Sequence, residues 1–98
     1  ADNDAYDVVA ITHVDTSTGV LTDARGLTAA SKEAGALVIL DGVCAAAAEE
    51  MRQVDWGVDV YLTASQKAIG TPPGLALLTA SPAALAKWRG RTHPVGSY

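Results

Sequence analysis

The order of apolar and helical segments predicts an α/β protein, a three-layer α/β/α arrangement around a mostly parallel sheet. Two observations point there. Short apolar runs at 6–12, 36–40 and 58–62 alternate with stretches of helical pattern at 23–34 and 45–54. Alternation at this spacing is what parallel strands joined by right-handed crossovers produce. The run Ala36-Leu37-Val38-Ile39-Leu40 is also apolar without interruption, as a central strand covered on both faces requires.

The first strand, residues 6–12, is set by Val8, Val9 and Ile11, whose β-branched side chains suit a buried pleated surface, and by its polar flanks. It runs into His13-Val14-Asp15-Thr16-Ser17-Thr18-Gly19, where hydroxyls, a carboxylate and a glycine make a loop. Helical pattern follows over 23–34, with Leu27, Ala30 and Ala34 on one side, Asp23 as N-cap and Gly35 as the stop. The strand 36–40 leads through Asp41-Gly42-Val43 into a helical crossover over 45–54 that turns Glu49, Glu50 and Arg52 to water. Residues 58–62 form the third strand, and Gly70-Thr71-Pro72-Pro73-Gly74 a rigid turn. A fourth strand covers 75–79, and a last helix covers 82–88 with Ser81 as N-cap and Pro82 at its first position. Such a sheet ordinarily has further strands to cover its edges. The 98 residues are therefore expected to be part of something longer.

With 49% hydrophobic and 18% charged residues, the chain can bury a core. A net charge of −4 speaks against a nucleic-acid partner, and Lys87, Arg89 and Arg91 read as a solvated helix end. The one cysteine, Cys44, excludes an internal disulfide and fits a reducing, cytoplasmic setting. No apolar run nears the roughly 18 residues of a membrane span. The polar, acidic residues 1–5 are unlike a targeting peptide.

In a parallel sheet the carboxyl ends of the strands share one edge, and ligands bind there. The topology puts Thr16 with Ser17, then Asp41, then Lys67 along that edge. Each has a bland reading. Asp41 could simply form a turn, and Lys67 could be one more solvated surface lysine. Against this, Ala64, Ala68 and Ile69 flank Lys67, and a partly desolvated lysine has a depressed pKa and becomes a nucleophile. His13 reads as a hydrogen-bonded loop histidine, and no paired His or Cys spacing suits zinc. Ser17 lacks the glycine elbow of a serine hydrolase. Residues 70–74 lack the lysine and the amides of a phosphate-binding loop. Cys44 lies among alanines at the start of the expected crossover helix, where a small buried residue is the ordinary expectation.

Three segments together carry a resemblance: His13 to Gly19 (HVDTSTG), Val38-Ile39-Leu40-Asp41-Gly42-Val43, and Ser65-Gln66-Lys67-Ala68 followed by Pro72-Pro73-Gly74. In this order they resemble the class V aminotransferases of pyridoxal phosphate fold type I, above all the alanine–glyoxylate and serine–pyruvate group. The resemblance implies pyridoxal 5′-phosphate as cofactor and a homodimeric parent enzyme. That enzyme would transfer the amino group of a small amino acid, alanine or serine, to glyoxylate or pyruvate. It implies that Lys67 forms the Schiff base with the cofactor aldehyde and later shuttles the substrate α-proton. Asp41 would face the pyridine nitrogen, Val43 would pack on one ring face, Thr16 would hydrogen-bond the phenolic oxygen, and Gln66 would reach the phosphate. Cysteine desulfurases carry a histidine where Gln66 stands, and aminoethylphosphonate transaminases an asparagine.

The resemblance also implies what these residues do not include. An upstream glycine turn for the phosphate, an upstream aromatic for the other ring face, and the arginine of a small domain for the substrate carboxylate are not found. The chain is thus expected to be the central portion of the large, cofactor-binding domain, inactive alone, with the N-terminal part and the small domain absent. Another fold type I activity, a lyase or desulfurase, and a non-catalytic fragment of the fold are the alternatives.

Overall fold

The computed structural model describes residues 5–96, so the acidic start read above, at 1–4, and residues 97–98 lie outside it. Strands β1 (Val8–Thr12), β2 (Leu37–Asp41), β3 (Val60–Ala64) and β4 (Ala76–Ala80) form one sheet in the order β1-β2-β3-β4. The first three are parallel and β4 is antiparallel to β3. Helices α1 (Ala24–Glu33), α2 (Gln53–Trp56) and α3 (Pro82–Arg89) connect or follow them. Among the described residues no helix is long and apolar enough to cross a membrane.

Alternation along the strands decides where the core sits. Val9 pairs with Val38, Ile11 with Leu40, and Leu40 with Tyr61, so these side chains share one face. On that face Ile11, Ala24, Val38, Leu40 and Val58 form the buried cluster, with Val9, Met51, Trp56 and Tyr61 against it. Leu40 and Val38 are fully buried, and each contributes roughly 1.5–3 kcal/mol by leaving water. The opposite face is more open: Val8, Ala10 and Leu78 are exposed.

The Asp23 cap forms as expected: its side chain accepts from the Gly26 N–H at 3.0 Å. A Cβ on Gly26 would meet that carboxylate and make it shift. The buried side of α1 differs from the expected Leu27, Ala30 and Ala34. Ala24 and Thr28 face the sheet instead, and Leu27 is half exposed. Small residues let the helix lie close on β1 and β2, and the leucine is left at its flank.

The expected helix over 45–54 is a second correction. Residues 43–48 form turns, in which the Gly42 carbonyl accepts from both Ala45 and Ala46. Ala47 stands at φ 68, a left-handed conformation that no α-helix continues through. Alanine's helix preference is only a few tenths of a kcal/mol per residue over ordinary residues, and burial of Ala45 and Ala46 against the core overrides it. Only α2 remains helical, closed by Gly57 at φ 81. Glu49, Glu50 and Arg52 do face water.

Strand β3 begins two residues later than expected because Asp59 has another task. It is 3% exposed and its carboxylate gathers three partners: Lys32 Nζ at 2.7 Å, the Val38 N–H at 2.8 Å and the Ser81 hydroxyl at 2.8 Å. Burial alone would raise this carboxyl's pKa, but the bonds from Lys32, Val38 and Ser81 outweigh it and hold the group below the usual range. One side chain thereby ties together α1, β2 and the start of α3.

Candidate active site

The carboxyl edge of the parallel strands is organised loop by loop. Beyond β1 the ladder continues by one bond, His13 N–H to the Asp41 carbonyl at 3.0 Å. The chain then forms a small hairpin, with Val14 bridged to Leu21. Asp15 holds its tip: one carboxylate oxygen accepts from the Ser17 amide and hydroxyl at 2.9 and 2.8 Å. Those bonds keep the Asp15 carboxyl below its ordinary value. Gly19, at φ 71, closes the turn with a bond to the Asp15 carbonyl. Thr16 rides on this tip, its hydroxyl 2.8 Å from Cys44 Sγ.

Asp41 is the last residue of β2, in register with Thr12 and Leu62. Its Oδ1 accepts the Val43 N–H at 2.9 Å. Its Oδ2 has no hydrogen-bond partner among the described residues. Gly42 between them is required: a Cβ there would run into the Tyr61 ring. Tyr61 has a buried hydroxyl without a partner, and burial, then the charge of Asp41, push its phenol up. His13, 3% exposed, stacks edge-on against Trp56 at 6.0 Å and leaves Nδ1 unpartnered. Burial lowers the His13 pKa, and Glu49 opposes it to a lesser degree.

Lys67 lies three residues beyond β3 on an exposed turn with Gln66. Neither side chain makes a hydrogen bond or ion pair among the described residues. The expectation of a desolvated lysine is therefore corrected: Ala68 and Ile69 are themselves exposed and do not shield it. Bonds link Thr16 to the turn after Asp41, and Asp41 to Val43. Gln66 and Lys67 follow β3 and form no hydrogen bond with them among the described residues. Cys44 is corrected too, since it sits half-buried on a turn against Thr16 rather than opening a helix. The cluster Lys87, Arg89 and Arg91 closes α3 as expected, with the Arg91 guanidinium 4.4 Å over the Trp88 ring.

Sequence reasoning gave no role to Ser65, Asp59 or Tyr61. Ser65 is 2% exposed and bonds across to the segment 71–75. Its signal was present: a hydroxyl at a strand end facing two prolines, which have no N–H. The signal for Asp59 was a carboxylate inside an apolar run, which buries only with partners.

Comparison with known proteins bears on the whole chain. The Aminotransferase class-V family model matches residues 2–97. Alanine–glyoxylate aminotransferase 1 of Saccharomyces cerevisiae is 47% identical over 75 residues, covering 74% of this chain and 20% of that protein. Serine–glyoxylate aminotransferase of Arabidopsis thaliana is 42% identical over 87 residues, 86% of this chain and 21% of that one. The crystal structure of an alanine–glyoxylate aminotransferase from Nostoc sp. superposes with a TM-score of 0.85 at 31% identity, covering 92% of this chain and 24% of that one. The chain thus spans about a fifth of the length of the curated relatives it matches.

Proposed function

The chain belongs to the class V aminotransferase family, and we propose that it forms the central portion of the large, cofactor-binding domain of such an enzyme. The reaction is transfer of the amino group of a small amino acid, alanine or serine, to glyoxylate or pyruvate. The observation that carries this reading is the sheet edge itself. Parallel β1, β2 and β3 deliver a hydroxyl, a carboxylate with one open oxygen and an unpaired primary amine to one side of the molecule.

That donor set fits pyridoxal 5′-phosphate. When bound, the cofactor supplies an aldehyde that captures amines and a ring that stores an electron pair. The open Oδ2 of Asp41 suits a protonated ring nitrogen, because a carboxylate beside it holds the proton in place. The Asp41 side chain is pre-aimed, since its other oxygen is already occupied by the Val43 amide. Val43, half-buried one turn on, offers an apolar surface for one face of the ring. The Thr16 hydroxyl, paired with Cys44 Sγ at 2.8 Å, suits the phenolic oxygen when the thiol is the donor of that pair, because the threonine proton is then free for the ligand. Gln66, exposed beside Lys67, supplies an amide for a phosphate oxygen. Lys67 Nζ would hold the cofactor at its aldehyde carbon and, as a free amine, would carry the proton taken from the substrate α-carbon.

The free Cys44 supports a reducing, cytoplasmic setting, and the family a homodimer. The test is the half-reaction of the intact protein loaded with pyridoxal phosphate. Alanine alone should release one equivalent of pyruvate per site, and Lys67→Ala should release none. Failure of alanine and serine to release their oxo acids from correctly folded protein would remove the proposal.

A further inference from the structure

The loop that carries Lys67 is closed at its neck by one buried residue, and we infer that Ser65, together with Thr71, is a positioning pair that fixes the Lys67 amine for reaction. The inference rests on the reading of Lys67 given above. Proline has no N–H, so Pro72 and Pro73 remove two donors from the segment leading into β4. Ser65 takes over the closure. Its hydroxyl donates to the Pro72 carbonyl at 2.7 Å and stands 3.4 Å from the Leu75 amide as acceptor. Its own N–H donates to the Leu75 carbonyl at 3.1 Å. Its carbonyl accepts from the Thr71 amide at 3.1 Å and from the Thr71 hydroxyl at 2.8 Å. At 2% exposure, Ser65 leaves little room for water to substitute for these bonds.

The far side of the loop is fixed as well. Gly70, in the left-handed region at φ 78, donates its N–H to the Lys67 carbonyl at 2.9 Å. The Lys67 backbone is thus gripped between the Ser65 neck and the Gly70 turn, while its side chain has no polar partner among the described residues. Backbone position is therefore what aims the amine. A misplacement of about 1 Å can cost about 100-fold in a reaction that needs near-contact geometry.

The experiment is reductive trapping in the intact protein. Pyridoxal phosphate is added, the imine formed with loss of water is reduced by borohydride to a secondary amine, and peptide mass spectrometry follows labelling at each lysine. Wild type and Thr71→Ser, which keeps the hydroxyl, should label Lys67 first. Ser65→Ala and Thr71→Val should slow labelling at Lys67 by about 10-fold or more, while Lys32 and Lys87 keep their rates. Ser65→Ala removes a buried group and can disturb folding, so Thr71→Val, at an exposed position, carries the decision. Equal Lys67 rates in wild type and Thr71→Val overturn the inference and leave the reading of Lys67 standing. Label spread evenly over Lys32, Lys67 and Lys87 in wild type overturns that reading and the inference with it. Slowing shared by all lysines, or shared by Thr71→Ser, marks a general loss of structure and likewise overturns the inference.

Discussion

Replacing Asp59 by alanine should destabilise the fold by about 3–5 kcal/mol, chiefly by leaving the Val38 N–H and the Ser81 hydroxyl without their charged acceptor. Geometry supports a value in that range. The side chain is 4% exposed and gives up Lys32, the Val38 N–H and the Ser81 hydroxyl together, and bonds to a charged group are worth about 1.5–3 kcal/mol each. The Lys32 end is 35% exposed, so its ammonium recovers water and its share is screened. The Val38 N–H is inside a buried strand and recovers little. Because the folded-state pKa of Asp59 is lowered, its contribution is complete above the ordinary value near 3.9. It is lost as pH falls through the lowered value. The assay is urea denaturation of the intact protein at pH 7, with hydrogen exchange at the Val38 amide as the local reporter. Lys32→Met should cost less than Asp59→Ala, and the double variant should fall short of the sum. If Asp59→Ala lies within about 0.5 kcal/mol of wild type, the ordinary range for an unimportant surface site, the reasoning about this cluster is wrong.

Three further outcomes follow. Gly42→Ala should cost about 1–3 kcal/mol by overpacking against Tyr61, and Tyr61→Leu should restore part of it, as thermal melts of the three variants will show. With the His13 pKa lowered by burial, its stabilising effect is present above the ordinary value near 6.5 and fades as pH falls below it. Denaturation between pH 8 and 5 should therefore show a slope that His13→Phe lacks. Asp41→Asn should leave trapping at Lys67 intact but slow exchange of the substrate α-proton by about 10-fold or more; deuterium exchange read by NMR checks it, and unchanged exchange would remove Asp41 from its proposed role.

Much of the fold was readable because it is written in local patterns. All four strands follow from short apolar runs, and the caps Asp23 and Ser81 from side chains that accept helix amides. What escaped depended on contacts distant in sequence. The alanines at 45–48 prefer helix in isolation, and only the core shows why Ala47 turns left-handed. Periodicity marks the sides of α1, but it does not tell that Thr28, not Leu27, meets the sheet. At the candidate site, parallel topology accounts for Thr16, Asp41 and Lys67 following the carboxyl ends of successive strands. The exposure of Lys67 was misread from its apolar neighbours, because flanking residues on an exposed turn do not bury one another. Ser65 needed the reverse logic, asking which group serves carbonyls that prolines leave without a donor.

Strand β3 keeps two kinds of work apart. Asp59 stands just before it and Ser65 just after it, about 20 Å apart at roughly 3.3 Å per residue. Free energies of changes so far apart, with no shared partner, add almost independently. The anchoring cluster at one end can therefore drift in strength, in a warmer or a colder host, while the proposed Lys67 site at the other end stays as it is. A short strand acts here as an insulator between the anchoring cluster and the proposed Lys67 site, and each can be selected without the other's consent.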